Sequence, residues 1–265
     1  MRAPDSGPVV EHEVSLRVQT MGGFRVWRDG VEVEPAAWRR EKAIYLFQFL
    51  VTVRGRYLHK EQIIDRLWPE MDVEAGDRDF RVALNAVHRA LEPQRPPRAE
   101  PRFVQRHDLA YGLDVESVRV DADAFEAQVI TANQALPHAE ETAIERYQAA
   151  LDLYRGDYLP ERRYEDWSSA ERERLQMIAL TTMTTLARLL VERNPPESIR
   201  LAQRVLATDP VWEDAYRVQM AAYMAQGNRP LTLRTYHQCV EVLEREFGVE
   251  PLPETQALYE RTQAK

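Results

Sequence analysis

The sequence predicts a mainly α-helical fold with a small β component, in which a strand–helix–helix–helix–hairpin segment is followed by an all-helical array. Three observations predict it. Period-two alternation of apolar and polar residues is confined to the first 120 or so of the 265 residues. Apolar residues recur at three- and four-residue spacing through the rest, between turns marked by Pro or Gly. The charge is also divided. Residues 1–120 carry 19 Lys/Arg and 19 Asp/Glu, and residues 121–265 carry 16 and 24, the whole of the formal net charge of −8. Within the first part, residues 38–106 hold 14 basic and 10 acidic residues, a mildly basic stretch.

Residues 1–13 are polar with two prolines and are expected to form a flexible tail. Leu16 to Thr20 alternates, Gly22-Gly23 interrupts, Phe24 to Trp27 alternates again, and Arg28-Asp29-Gly30 turns into Val31-Glu32-Val33. This reads as a short antiparallel sheet. From Arg39 to Val53, Ala43, Leu46, Phe47, Leu50 and Val51 mark one buried helical stripe, ended by Gly55. A second helix runs from His59 to Trp68 and stops at Pro69. After a loop from Glu70 to Gly76, Asp77 is expected to cap a third helix reaching Leu91. Phe103 to Arg106 and Ala110 to Leu113 read as a hairpin around His107-Asp108-Leu109. Six helices follow, over 123–133, 140–155, 167–193, 196–207, 212–226 and 231–247. Their short turns fit paired helices of a diverged tetratricopeptide-like helical-hairpin array. The expected domains are 14–115 and 116–265.

Composition excludes several classes. Hydrophobic residues at 44% and charged residues at 29% describe a globular chain rather than a disordered one. No window holds the 18 or so apolar residues of a membrane helix, and Met1–Val10 lacks a signal-peptide core. One cysteine, Cys239, rules out an internal disulfide framework and points to a reducing, cytoplasmic setting. The six histidines include no pair at i, i+4 spacing, so no metal site is expected. With no phosphate loop and no nucleophile elbow, neither a cofactor nor enzymatic activity is expected.

Strand, three helices and hairpin form the order of a winged helix-turn-helix, whose third helix enters the DNA major groove. Such a helix needs hydrogen-bonding side chains along one stripe, with Arg to guanine and Asn to adenine favoured. In the third helix Phe80, Leu84, Val87 and Leu91 form the buried face, and Arg78, Arg81, Asn85, His88 and Arg89 form the other. These five are the candidate base readers. Asp77 and Asp79 sit at the expected first turn, where they suit the helix dipole. Arg39, Arg40, Lys42, His59, Lys60, and Arg106 with His107 at the hairpin tip are the candidate phosphate contacts.

Two groups of motifs carry a family resemblance. Arg40 to Leu91, with Tyr57-Leu58-His59-Lys60-Glu61 and Phe80-Arg81-Val82-Ala83-Leu84-Asn85, resembles the OmpR-type winged helix. Gly156-Asp157-Tyr158-Leu159-Pro160, Tyr164-Glu165-Asp166-Trp167 and Glu246-Phe247-Gly248-Val249-Glu250-Pro251 resemble the bacterial transcriptional activator domain. In this order they are similar to the Streptomyces antibiotic regulatory protein type of activator. The resemblance implies a transcriptional activator that binds direct repeats in double-stranded promoter DNA, as a homodimer there, and recruits RNA polymerase through its sigma or alpha subunit. The sequence shows no receiver, ATPase or phosphopeptide-binding segment, so the usual inputs of larger regulators are not expected within it, and it can be a fragment of a longer regulator.

Arg200 and Arg204 share a helix face, and Arg234 lies further on. On a concave helical array they are candidates for a small anionic effector, such as a nucleotide second messenger, or for an acidic partner. Pairing with nearby acids is the plainer reading. A protein-interaction adaptor that does not bind DNA is the other alternative, because residues 1–120 are neutral in sum.

Overall fold

The computed structural model describes residues 16–264, so the expected tail lies outside the described residues. Two compact units form: residues up to 124 with 155–173, and residues 125–154 with 174–264. The sequence boundary was expected at 115/116; the stretch 155–173 instead counts with the first unit.

In the first unit β1 (Leu16–Gln19), β2 (Arg25–Arg28), β3 (Val31–Glu32) and β7 (Val118–Val120) make a sheet of order β3-β2-β1-β7, with β1 antiparallel to β2 and parallel to β7. Strand β7 was not expected; its three residues are too short a run to stand out. Helices α1 (Glu41–Thr52), α2 (Lys60–Leu67) and α3 (Val73–Leu91) follow. The wing is a three-stranded sheet of order β4-β6-β5, from β4 (Leu58–His59), β5 (Val104–His107) and β6 (Ala110–Leu113). Leu16, Leu46, Phe47, Leu50, Ile63, Leu67, Phe80 and Leu91 are almost fully buried and form the core. Non-directional burial of this stripe is what holds the helices to the sheet.

Helix α3 begins four residues before the expected cap. Asp72, not Asp77, is the N-cap, its Oδ1 accepting from the Ala75 N–H at 2.8 Å. Gly76, expected in a loop, is helical because α2 and α3 touch there: a Cβ would meet Ile64 Cγ2 at 2.6 Å.

Residues 155–173 complete the unit. Tyr158 bridges Met21, the Gly22 N–H donates to Asp157 O (3.0 Å) and the Leu159 N–H to Thr20 O (2.8 Å). Gly22 (φ 76°) lies so close that a Cβ would meet Arg155 O at 2.8 Å. On α1 the Tyr45 hydroxyl donates to Glu165 (2.5 Å) and accepts from Trp167 Nε1 (3.2 Å), and Gln48 bonds Glu161 and Arg162 (both 2.7 Å).

The remaining helices are α4 (Asp121–Ala135), α5 (Glu140–Leu153), α6 (Asp166–Leu190), α7 (Pro195–Thr208), α8 (Glu213–Ala225), α9 (Arg229–Phe247) and α10 (Pro253–Gln263). The division between units falls within α4 and α6. The second unit stacks α7 on α8, α8 on α9, and α10 on both α8 and α9. Asn194 and Asn228 cap α7 and α9, each followed by proline in the first turn. Tyr216, Cys239 and Leu243 form a buried cluster with Leu206 against it, where the thiol packs as a small hydrophobe. Helix α10 was not expected. No helix among the described residues is long and apolar enough to cross a membrane.

Candidate nucleic-acid interface

Helix α3 buries Phe80, Ala83, Leu84, Val87, Ala90 and Leu91. The opposite side exposes Arg78, Arg81, Asn85 and Arg89. Their spacing of three, four and four residues lays them along one stripe. Val82 is also exposed on that side.

His88 does not join the stripe. It is half-buried, and its Nε2 lies 3.3 Å from Val104 O on the wing strand β5. Burial, and then the positive charge of Arg95, hold its pKa down to about 4. The imidazole is therefore neutral at pH 7 and faces the wing. This corrects the expectation of a base-reading His88: position 88 borders the apolar face, and the wing covers it.

The phosphate candidates divide. Arg39 (φ 59°) and Arg40 are exposed where the 3-10 turn Pro35–Trp38 passes into α1. Lys42 is engaged within the fold. Its Nζ donates to Leu67 O at 3.2 Å, capping α2, and lies over the rings of Tyr45 and Trp68. His59 caps α2, its Nδ1 accepting from the Glu61 N–H (3.4 Å) while Gln62 reaches back to the His59 N–H (3.0 Å). Lys60 Nζ donates to Asp77 at 2.8 Å, and Arg81 pairs with the same carboxylate. The bond from Lys60, then that from Arg81, lowers the Asp77 pKa. One acid thus ties the start of α2 to the exposed stripe of α3.

At the wing tip the Arg106 guanidinium bonds Asp108 O, and Asp108 takes a left-handed turn (φ 54°). His107 is exposed and stands edge-on to Tyr57, ring centroids 4.5 Å apart. The Tyr57 hydroxyl donates to Gln105 (3.0 Å), and the Lys60 N–H donates to Leu109 O (2.8 Å), fixing the wing to the start of α2. Exposed Arg56 and Tyr57 extend this edge; Tyr57 heads the winged-helix motif but was not among the candidate contacts, and the signal for Arg56 was a cation–Gly–cation run, Arg54-Gly55-Arg56.

A family model for the bacterial transcriptional activator domain matches residues 120–263, more than half of the chain. The chain belongs to this family of transcriptional regulators. Members of the family are regulators rather than enzymes. The match fits the resemblance of the chain to the Streptomyces antibiotic regulatory protein type. The chain is 24% identical over 264 residues to the regulatory protein AfsR of Streptomyces coelicolor, covering 98% of this chain and 25% of that protein. The fold matches that of Mycobacterium tuberculosis EmbR, solved in complex with a low-affinity phosphopeptide, with a TM-score of 0.80 at 20% identity; the match covers 94% of this chain and 65% of that one. The chain thus spans about a quarter and two thirds of these two relatives.

In the activator domain Arg200 is taken by Glu197, with bonds of 2.7 and 2.5 Å. Arg200, and more weakly Arg204, lower the Glu197 pKa. Arg234 is exposed on α9, two helices away from α7 in the stack. A groove of about 300 Å³ between α4, α5 and α6 is lined by none of the three; Val129, Ile130, Met177 and three threonines line it, and its one carboxylate, Glu126, is paired with Arg174. Among the described residues no cluster has the donors of a metal site.

Proposed function

We infer that this regulator binds double-stranded promoter DNA through α3 and its wing. The observation that carries the reading is the exposed stripe Arg78, Arg81, Asn85 and Arg89, held by a buried apolar face and bordered by a wing fixed to α2. Phosphate contacts from Arg39, Arg40, Arg106 and His107 supply most of the affinity and set register. The stripe supplies discrimination. The activator domain, with an acidic sequence from residue 121, mediates self-association and the contact to the sigma or alpha subunit of RNA polymerase on direct repeats. The pairing of Arg200 with Glu197 disfavours that arginine as an anionic-effector ligand.

Fluorescence anisotropy of the full chain with promoter fragments at two salt concentrations tests this. Binding that weakens steeply with salt, and that falls uniformly across sequences in Arg39→Ala or Arg106→Ala with a slope shallower by about one, is the expected result. No salt-sensitive binding at micromolar protein would favour a protein adaptor instead.

A further inference from the structure

Strands β1, β2 and β7 alternate between core and solvent. Leu16, Val18, Val26, Val118 and Val120 face inward and are buried. The intervening side chains point to the other face of the sheet. Register aligns them into one row across four strands: Glu32 stands opposite Trp27, Trp27 opposite Arg17, and Arg17 opposite Arg119. Arg25 pairs in register with Gln19, and Arg155 Nη1 donates to Gln19 Oε1 at 3.0 Å. Two arginines, Arg17 and Arg25, therefore approach one indole, and Arg119 stands beside Arg17.

The one acid of the row, Glu32, is consumed by Arg25 in a two-pronged pair of 2.7 and 2.5 Å. Arg17 lies over the Trp27 ring, its guanidinium carbon 4.1 Å from the centroid, and Arg25 approaches the same ring at 5.1 Å. A stacked guanidinium keeps its in-plane N–H donors free for a carboxylate. Among the described residues no carboxylate pairs with Arg17 or Arg119. Arg17 and Arg119 stand side by side in the parallel β1–β7 pair, so two guanidinium groups share one stretch of this face.

We propose that this outer face of the N-terminal sheet docks an acidic segment of a partner protein, with carboxylates on Arg17 and Arg119 and an apolar side chain on Trp27. Charge complementarity sets the occupant. The two arginines stand on adjacent strands, about 4.8 Å apart at the backbone, a spacing that suits closely set carboxylates. DNA is the poorer occupant. Arg28, whose side chain alternates to the inner side, donates to the Ala90 and Leu91 carbonyls at the end of α3 (3.2 and 3.4 Å). The inner side of the sheet thus meets the end of α3, and Arg17 points to the opposite side.

The test uses the full chain and a fluorescein-labelled peptide of alternating Glu and Leu, with a Gln-for-Glu control. The Glu peptide is expected to bind in a salt-sensitive manner and the Gln peptide not. Arg17→Ser/Arg119→Ser is expected to weaken the Glu peptide about tenfold, the effect of losing roughly one charge-assisted bond, with promoter-DNA affinity unchanged. Arg17→Glu/Arg119→Glu is expected to prefer a Lys-for-Glu peptide. Three results would each overturn the proposal: equal peptide binding by wild type and both variants, loss of DNA affinity with a shallower salt slope in the Ser variant, or self-association in sedimentation that the Ser variant abolishes.

Discussion

Asp77 satisfies two cations at once, Lys60 of α2 and Arg81 of the exposed α3 stripe. Removing its charge leaves both free to meet phosphate indiscriminately. Asp77→Asn is expected to tighten binding to scrambled DNA and to narrow the gap between site and scrambled sequence, measured by competition anisotropy. His88 makes a different prediction. Its folded pKa of about 4 lies below the usual histidine value, so the unfolded chain takes up the proton first as pH falls. The neutral ring's contribution is present above about pH 6.5 and is lost as pH falls towards 4. Between pH 7 and pH 5 that loss is about 2 kcal/mol. His88→Gln removes the titration, so denaturant melts of the variant are expected to depend less on pH over that interval; an unchanged dependence would place the proton elsewhere.

The elements differ in how much of them the sequence exposes. The apolar stripe of α3 is periodic over many turns, so its existence, and the sides of Arg78, Arg81, Asn85 and Arg89, were legible. Its start was not, because Gly76 resembles a loop residue until α2 is seen to press on it. The engagement of Lys42 and His59 as caps was hidden for a similar reason: it depends on helix ends, which single side chains do not announce. Strands β4 and β7 have two and three residues and carry no pattern of their own. At this scale Gly76→Ala is the informative change. Alanine gains helix propensity, about 1 kcal/mol, but its methyl meets the stiff Ile64 branch, and overpacking of this kind costs about 1–3 kcal/mol. A lower melting temperature is expected; a higher one would mean that α2 and α3 separate freely.

For the molecule as a whole, the segment 155–173 lies within the stretch that matches the activator-domain model, yet it completes the unit that carries the winged helix. Phe49 and Tyr45 of α1 pack edge-on against Trp167, both with centroids 5.6 Å away, and Gln48 has its partners at Glu161 and Arg162. A fragment ending at residue 124 is therefore expected to melt at lower temperature and less cooperatively than the full chain. Calorimetry showing the same transition in both would contradict that. The motifs of 156–167 were legible in the sequence, but the unit that they complete was not, since neighbours in space are separated here by more than 100 residues. Base reading by α3 is tested by selecting preferred sites from random duplexes with wild type, Arg81→Ala and Asn85→Ala. Each variant is expected to lose about 1–3 kcal/mol of preference at its own base position and to retain the others. Identical site preferences in all three proteins would contradict the assignment of α3 as the reader.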